Sequence, residues 1–345
     1  MQIFVDKIAS VTKNVGLKHT LQISAKIVSA EGYILVVEAL KNKKIYNQLE
    51  LTSGRLSTIH KEDILAVALG RRRALKGFVG EIPDKLKVGD TIHILNLGGV
   101  AGICTSENVA EVGHALKVKV LGAVVDEQNR PLTIHNFKLF KRAAKIKKAV
   151  PLVIVSGTGM STGKTSVACE IIKSASRKGY KVHSAKLAGI AALKDIKNMQ
   201  DHGARKAVSM IDAGYTSTII SAKESVEIAK GAINYLAQTN PDFIVIEFGD
   251  GILGEYGVLP ILKDREIQKN IGAHVGCAHD PVGALKLAEI CQKLGTPLHV
   301  VSGPVTDNSI GTEFISKNLK IIGINALYHG EKLFPFLSQN FYKKR

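Results

Sequence analysis

Tryptophan is absent from all 345 residues, and Phe, Tyr and Trp together make up only 5% of the chain. Single-stranded nucleic acids are held largely by bases stacked on aromatic side chains, so a stacking platform has little to be built from. Cysteine is scarce too. Cys104, Cys169, Cys277 and Cys291 stand alone, none in a C-x-x-C spacing. That argues against a zinc site and for free, mostly buried thiols in a reducing cytoplasm. No apolar run approaches the roughly 18 residues a membrane helix needs. The start, Met-Gln-Ile-Phe-Val-Asp-Lys-Ile, lacks the charged and apolar regions of a secretory signal. We therefore expect a cytoplasmic protein with no membrane partner.

Acidic residues are in deficit: 30 Asp and Glu face 47 Lys and Arg, a formal charge of +17. The excess is uneven, with 24 Lys/Arg against 13 Asp/Glu in residues 1–150. A basic surface suits anionic small molecules or nucleic acid. With so few aromatics the first is preferred, and no specific nucleic-acid partner is expected.

The length makes two domains the natural division. Residues 1–137 are β-rich. Short alternating runs recur at Leu21–Val28, Tyr33–Ala39, Thr91–Leu95 and Leu116–Leu121, separated by turn signals such as Gly98-Gly99. Their close spacing predicts a small barrel or sandwich. Residues 61–77 read as opening with a short amphipathic helix. Arg71, Arg72 and Arg73 after it fit either an anion clamp or a charged helix C-terminus. The glycine-rich stretch Leu95–Cys104 reads as a tight turn, with a ligand-facing loop as the alternative. Residues 138–149 form a basic linker, with Lys138, Lys141, Arg142, Lys145 and Lys148 at helical spacing.

From residue 150 to 345 apolar runs alternate with helical segments. Strands are expected at 152–155, 182–185, 243–246, 274–277, 298–301 and 321–324. Helices are expected at 165–178, 223–238, 281–294 and 309–318. This predicts an α/β domain with a parallel sheet covered on both faces. Its first strand runs into Gly157-Thr158-Gly159-Met160-Ser161-Thr162-Gly163-Lys164-Thr165-Ser166, and a helical pattern follows. Strand, glycine loop, Lys-Thr and helix are the context of a phosphate-binding loop. Glycines let backbone N–H groups crowd around an anion, and the helix N-terminus adds its own. Lys164 would reach the outer phosphates, and the Thr165 hydroxyl would coordinate Mg²⁺. The strict G-x-x-x-x-G-K-[ST] pattern is missed by one residue, because Thr158 holds the first Gly place. A glycine-rich turn that binds nothing, or a dinucleotide fold, leaves Lys164-Thr165 without a purpose.

The string Gly157–Thr165 resembles the G-T-D-x-x-x-G-K-T loop of dethiobiotin synthetase and its relatives among the P-loop NTPases. Gly159 replaces their Asp, and it stands where MinD-type ATPases carry a signature Lys. The resemblance covers about residues 151–330. It implies ATP and Mg²⁺ as cofactors, and γ-phosphate transfer to a small-molecule carboxylate or carbamate, giving an acyl phosphate that an amine then attacks. In that group a strand ends in V-E-G-A-G-G and its Glu helps hold Mg²⁺; Glu247 stands at that place. A Lys-Pro follows their second strand, and Lys186 matches the Lys while Leu187 replaces the Pro. A further metal-binding Asp is implied, and Asp195, Asp201, Asp212 and Asp250 all remain candidates. His202 and Arg205 fit substrate recognition or a plain helix face. Ser302–Asn308 fits a base or ribose contact, or a turn capped by Asp307 or Asn308. His279-Asp280-Pro281 likewise ends a strand and starts a helix. We expect an ATP-dependent ligase or phosphotransferase, as a homodimer, acting on an anionic small molecule. The alternative is a nucleotide-switched binding or cofactor-insertion protein with slow hydrolysis.

Overall fold

The structure is a computed structural model of the chain, and it describes residues 1–341. It divides into two compact units. The first holds residues 1–139 together with 190–194 and 210–219; the second holds 140–189, 195–209 and 220 onward.

In the first unit five strands close a barrel. Leu116–Val124 pairs with Ile34–Ala39, which pairs with Ile64–Leu69. That strand runs parallel to Val100–Glu107, which pairs with Thr91–Ile94, which returns to Leu116–Val124. Closure leaves no exposed edge among these five. Alternation sets the faces: Leu116, Val118 and Val120 are buried while Lys117 and Lys119 face solvent.

Residues 64–69 are a strand, not the expected helix. Ile64-Leu-Ala-Val-Ala-Leu69 is covered on both sides, so it shows no two-residue alternation and its period does not separate strand from helix. Arg72–Arg73 continue as a short strand against Phe78–Glu81. The glycine-rich stretch after Leu95 is a tight turn with a packing reason. A Cβ on Gly98 would lie 2.0 Å from the Ala191 carbonyl oxygen. Segment 190–194 rests there, with Asn96 Nδ2 donating to Ala191 O at 2.6 Å and Leu193 N to Glu50 Oε2 at 2.6 Å. Segment 210–219 is held by Glu31, whose Oε1 accepts from Thr216 N and Oγ1, each at 2.6 Å.

The second unit is a seven-stranded parallel sheet. Its strands are β1 (Leu152–Gly157), β2 (Val182–Ala188), β3 (Lys206–Ser209), β4 (Phe243–Phe248), β5 (Ile271–Cys277), β6 (Val300–Ser302) and β7 (Ile322–Gly323), in the order β3-β2-β4-β1-β5-β6-β7. Helices connect them: α1 (Lys164–Arg177), α2 (Lys194–Asp201), α3 (Ala222–Ala237) and α4 (Pro281–Lys293) among others. β1 and β4 are buried along their whole length, as strands covered on both faces must be. β3 escaped the sequence reading because its four residues, Lys-Ala-Val-Ser, carry too short a pattern.

The basic linker is not helical. Residues 141–149 form no helix or strand. They lie along α3 as a strap: Ala143 N donates to Glu227 O at 2.9 Å and Lys147 N to Asn234 Oδ1 at 2.7 Å. The side chain of Lys230, on α3, reaches both Asp264 (2.9 Å) and Glu266 (2.8 Å). Irregular backbone takes its hydrogen bonds from a carbonyl and a side chain of α3, so the lysine spacing carries no helical meaning here.

Candidate functional site

β1 and β4 are neighbours at the centre of the sheet, and the chain leaves β1 through the glycine loop into α1. Gly163 adopts φ +87°, and Ser161 φ +60°. Gly163 precedes α1 with no side-chain cap, so the first N–H groups of that 14-residue helix remain available. The loop is packed from behind. Thr158 N donates to Cys277 O at 2.9 Å, and a Cβ on Gly157 would lie 2.7 Å from Thr162 Oγ1. Gly251 closes over the other side, where a Cβ would lie 2.5 Å from Thr158 O. His279 Nε2 lies 3.2 Å from Met160 O. Sequence reasoning missed the roles of Cys277 and Gly251, because neither residue type carries a phosphate-site signal.

Lys164 is 5% exposed and donates to Gly159 O at 2.5 Å. Burial pushes its ammonium below the ordinary lysine range, against the pull of Cys277, Glu247 and Asp250. A buried cation with such weak compensation favours an anion beside it.

The strand register brings two more expected residues together. Glu247 lies opposite Val155 of β1 on one side and Lys186 of β2 on the other. Glu247 is 2% exposed. Its Oε1 accepts from Thr165 Oγ1 at 2.8 Å, while Oε2 has no hydrogen-bond partner among the described residues. An orphaned carboxylate oxygen beside a hydroxyl, both hard oxygen donors, suits Mg²⁺ completed by water and phosphate. Among the described residues no group of three or more His, Cys, Asp and Glu is placed to hold a metal, so such an ion would depend on the nucleotide for ligands.

The four aspartates separate. Asp195 forms an ion pair with Lys186. Asp250 is half-buried, its carboxyl pushed up by burial against the opposing pull of Gly251 N–H and Lys164. Asp201 is exposed at the end of α2. Asp212 belongs to the first unit, buried against Lys13 at 2.7 Å. His202 bonds back to Asn198 O within its own helix segment. Asp280 caps α4 through Gly283 N, and Asn308 caps Ser309–Phe314 through Gly311 N. The arginine triplet forms no shared anion clamp. Arg71 and Arg73 both meet Glu81, and Arg72 is buried beside Tyr46 and Phe78.

No family model matches this chain, and no curated protein matches it. Solved structures do. A DUF1611 family protein from Anabaena variabilis aligns at TM-score 0.41 and 14% identity over 59% of this chain and 63% of its own. A ParA family ATPase from Chlorobium tepidum aligns at 0.33 and 13% over 56% and 96%. The signal recognition particle 54 kDa protein from Aeropyrum pernix, in complex with GDP, aligns at 0.38 and 18% over 57% and 47%. The chain thus spans under two thirds of the Anabaena and Aeropyrum proteins. The P-loop NTPase fold of the second unit follows from its own parallel sheet, glycine loop and Lys-Thr helix start. No helix among the described residues is long and apolar enough to cross a membrane.

Proposed function

We propose that the second unit binds a nucleoside triphosphate with Mg²⁺ and passes the γ-phosphate to a small-molecule carboxylate or carbamate, in the manner of the dethiobiotin synthetase group. One observation carries this: the buried Glu247, with one oxygen on Thr165 and the other without a partner, set at the carboxyl edge of β4 beside the P-loop. Ligands of parallel α/β sheets gather at that edge.

Each residue then has a task. The loop N–H groups and the N-terminus of α1 hold the β-phosphate. Lys164 neutralises charge on the outer phosphates. Thr165 and Glu247 would hold Mg²⁺, which would supply further neutralisation of the phosphate oxygens. Lys186, ion-paired with Asp195, orients the anionic acceptor. An acceptor oxygen forms the new P–O bond as the bond to the diphosphate breaks, and the diphosphate leaves with both electrons. Transfer of this kind asks for positioning and charge neutralisation rather than a protein nucleophile.

The test uses the full chain. Nucleotide binding and phosphate release are measured with Mg²⁺ for the wild type and Lys164→Ala, across dicarboxylates, amino acids and amines. We expect one class of acid to raise turnover many-fold, and Lys164→Ala to abolish it. Tight nucleotide binding with no stimulation by any acceptor would replace the transferase reading with the nucleotide-switch reading. A wild type that binds no triphosphate would end both.

A further inference from the structure

At the end of the second unit's sheet opposite the P-loop lies a cavity of about 270 Å³. β1 and β4 both begin beside it, and they carry the glycine loop and Glu247 at their other ends. Three stretches of chain wall it. The strap contributes residues 148–151 as it enters β1, and the turn between α3 and β4 contributes residues 240–243. Phe341, the last residue of the helix Leu333–Phe341, forms the third side.

Much of the wall is apolar and firmly held. Phe243 and Phe341 are both buried, with ring centroids 5.2 Å apart. Gly272 of β5 leaves room for the second ring, since a Cβ there would lie 3.1 Å from it. Pro151 and Pro241 add rigid apolar surface. Two exposed side chains of opposite charge, Lys148 and Asp242, line the same cavity. Each is anchored by its own neighbour. Lys148 Nζ donates to the Asn240 side-chain oxygen, and Asp242 Oδ2 accepts from Lys181 N at 2.7 Å. Among the described residues the two form no ion pair with each other. Most of the hydrogen-bonding capacity of an ammonium and a carboxylate is therefore left for a ligand.

We propose that this cavity binds a free α-amino acid with an apolar side chain, its carboxylate on Lys148, its ammonium on Asp242 and its side chain against Phe243 and Phe341. An apolar wall with a few placed polar groups is the usual make-up of a small-molecule site. The volume sets the size. It exceeds the about 150 Å³ that holds benzene, and it falls short of the roughly 300–1,000 Å³ of pockets for drug-sized ligands. The charges set the class. A zwitterion satisfies both, through charge-assisted hydrogen bonds, whereas a simple acid would leave Asp242 without a partner and a simple amine would leave Lys148 without one. The site is separate from the acceptor position at Lys186, and it stands whether or not the P-loop holds a triphosphate.

The test is titration calorimetry of the full chain with L-leucine and L-phenylalanine, and with two leucine analogues, 4-methylpentanoate and 3-methylbutylamine. The first analogue lacks the ammonium and the second lacks the carboxylate. The wild type should bind L-leucine about tenfold or more tighter than either analogue. Asp242→Asn keeps an acceptor for Lys181 N but loses the charge, so it should erase the preference over 4-methylpentanoate. Lys148→Met keeps the stem and should erase the preference over 3-methylbutylamine. Loosening of the fold alone would weaken all the ligands together. Lys186→Ala should bind L-leucine as the wild type does. No binding of either amino acid at millimolar concentration, or equal affinity of the wild type for L-leucine and its analogues, overturns the proposal. Loss of L-leucine binding in Lys186→Ala also overturns it, by moving the amino acid to the acceptor position. A wild type that binds L-leucine in this pattern but no triphosphate would end the nucleotide reading and leave this one standing.

Discussion

At the scale of single residues, Glu247 is the informative one. Its carboxylate is fully enclosed yet half-satisfied, which is costly unless something completes it. Glu247→Gln keeps the shape and still accepts from the Thr165 hydroxyl, but removes the charge that would hold Mg²⁺. We expect turnover to fall about 100-fold, with the melting temperature near that of the wild type. Single-turnover phosphate release beside a thermal melt checks this, and unchanged turnover would remove Glu247 from the metal. The P-loop was legible because strand, glycines, Lys164 and helix lie within one short window, where local geometry follows from local sequence. Glu247 and Lys186 needed a family pattern to be singled out, and only the strand register explains why they are neighbours. Asp212 was not separable from Asp195 by sequence, since its partner Lys13 lies nearly two hundred residues away.

At the scale of elements, the clasp on segment 210–219 has a pH sign. His135 Nε2 lies 2.7 Å from Glu31 Oε2, and Tyr215 meets the imidazole edge-on at 5.3 Å between ring centroids. The hydrogen bond to Glu31 raises the His135 pKa above its ordinary 6.5, against burial, with the Gly214 backbone adding in the same direction. A raised folded-state pKa stabilises the fold below the unfolded value, and that stabilisation is lost as pH rises through the folded value. The melting temperature of the first unit should therefore drop as the pH rises above the ordinary histidine value of 6.5. In His135→Gln the drop should be shallower, because the titrating group is gone. Parallel pH profiles for the two chains would assign the dependence elsewhere. Sequence could not show this clasp. Glu31 and His135 are ordinary turn residues until the chain returns between them, just as the strand Ile64–Leu69 is an ordinary apolar run until both its faces are covered.

At the scale of the whole molecule, neither unit is one continuous piece of chain. The change of pattern near Val150 is visible in the sequence, since short alternating strands give way to buried runs and helices. The two excursions, 190–194 and 210–219, are not visible, because each is too short to carry a period of its own. They have a physical consequence for dissection. A fragment of residues 1–149 would keep Glu31, Glu50 and Lys13 but lose the groups that satisfy them: Thr216, the Leu193 N–H and Asp212. Glu50 is fully buried in the whole chain, and in the fragment its carboxylate would lose the Leu193 N–H donor. Fragment 150–345 would in turn expose Met210 and Ile211, both buried in the whole chain. We expect 1–149 to melt at least about 10 °C below the first transition of the intact protein, or to be unfolded at room temperature, as the loss of a few kcal/mol in a domain of this size requires. Adding residues 190–219 back through a short flexible linker should recover a cooperative transition. Circular dichroism melts of the three chains decide it. A fragment 1–149 as stable as the intact first unit would mean that the excursions decorate the barrel rather than complete it.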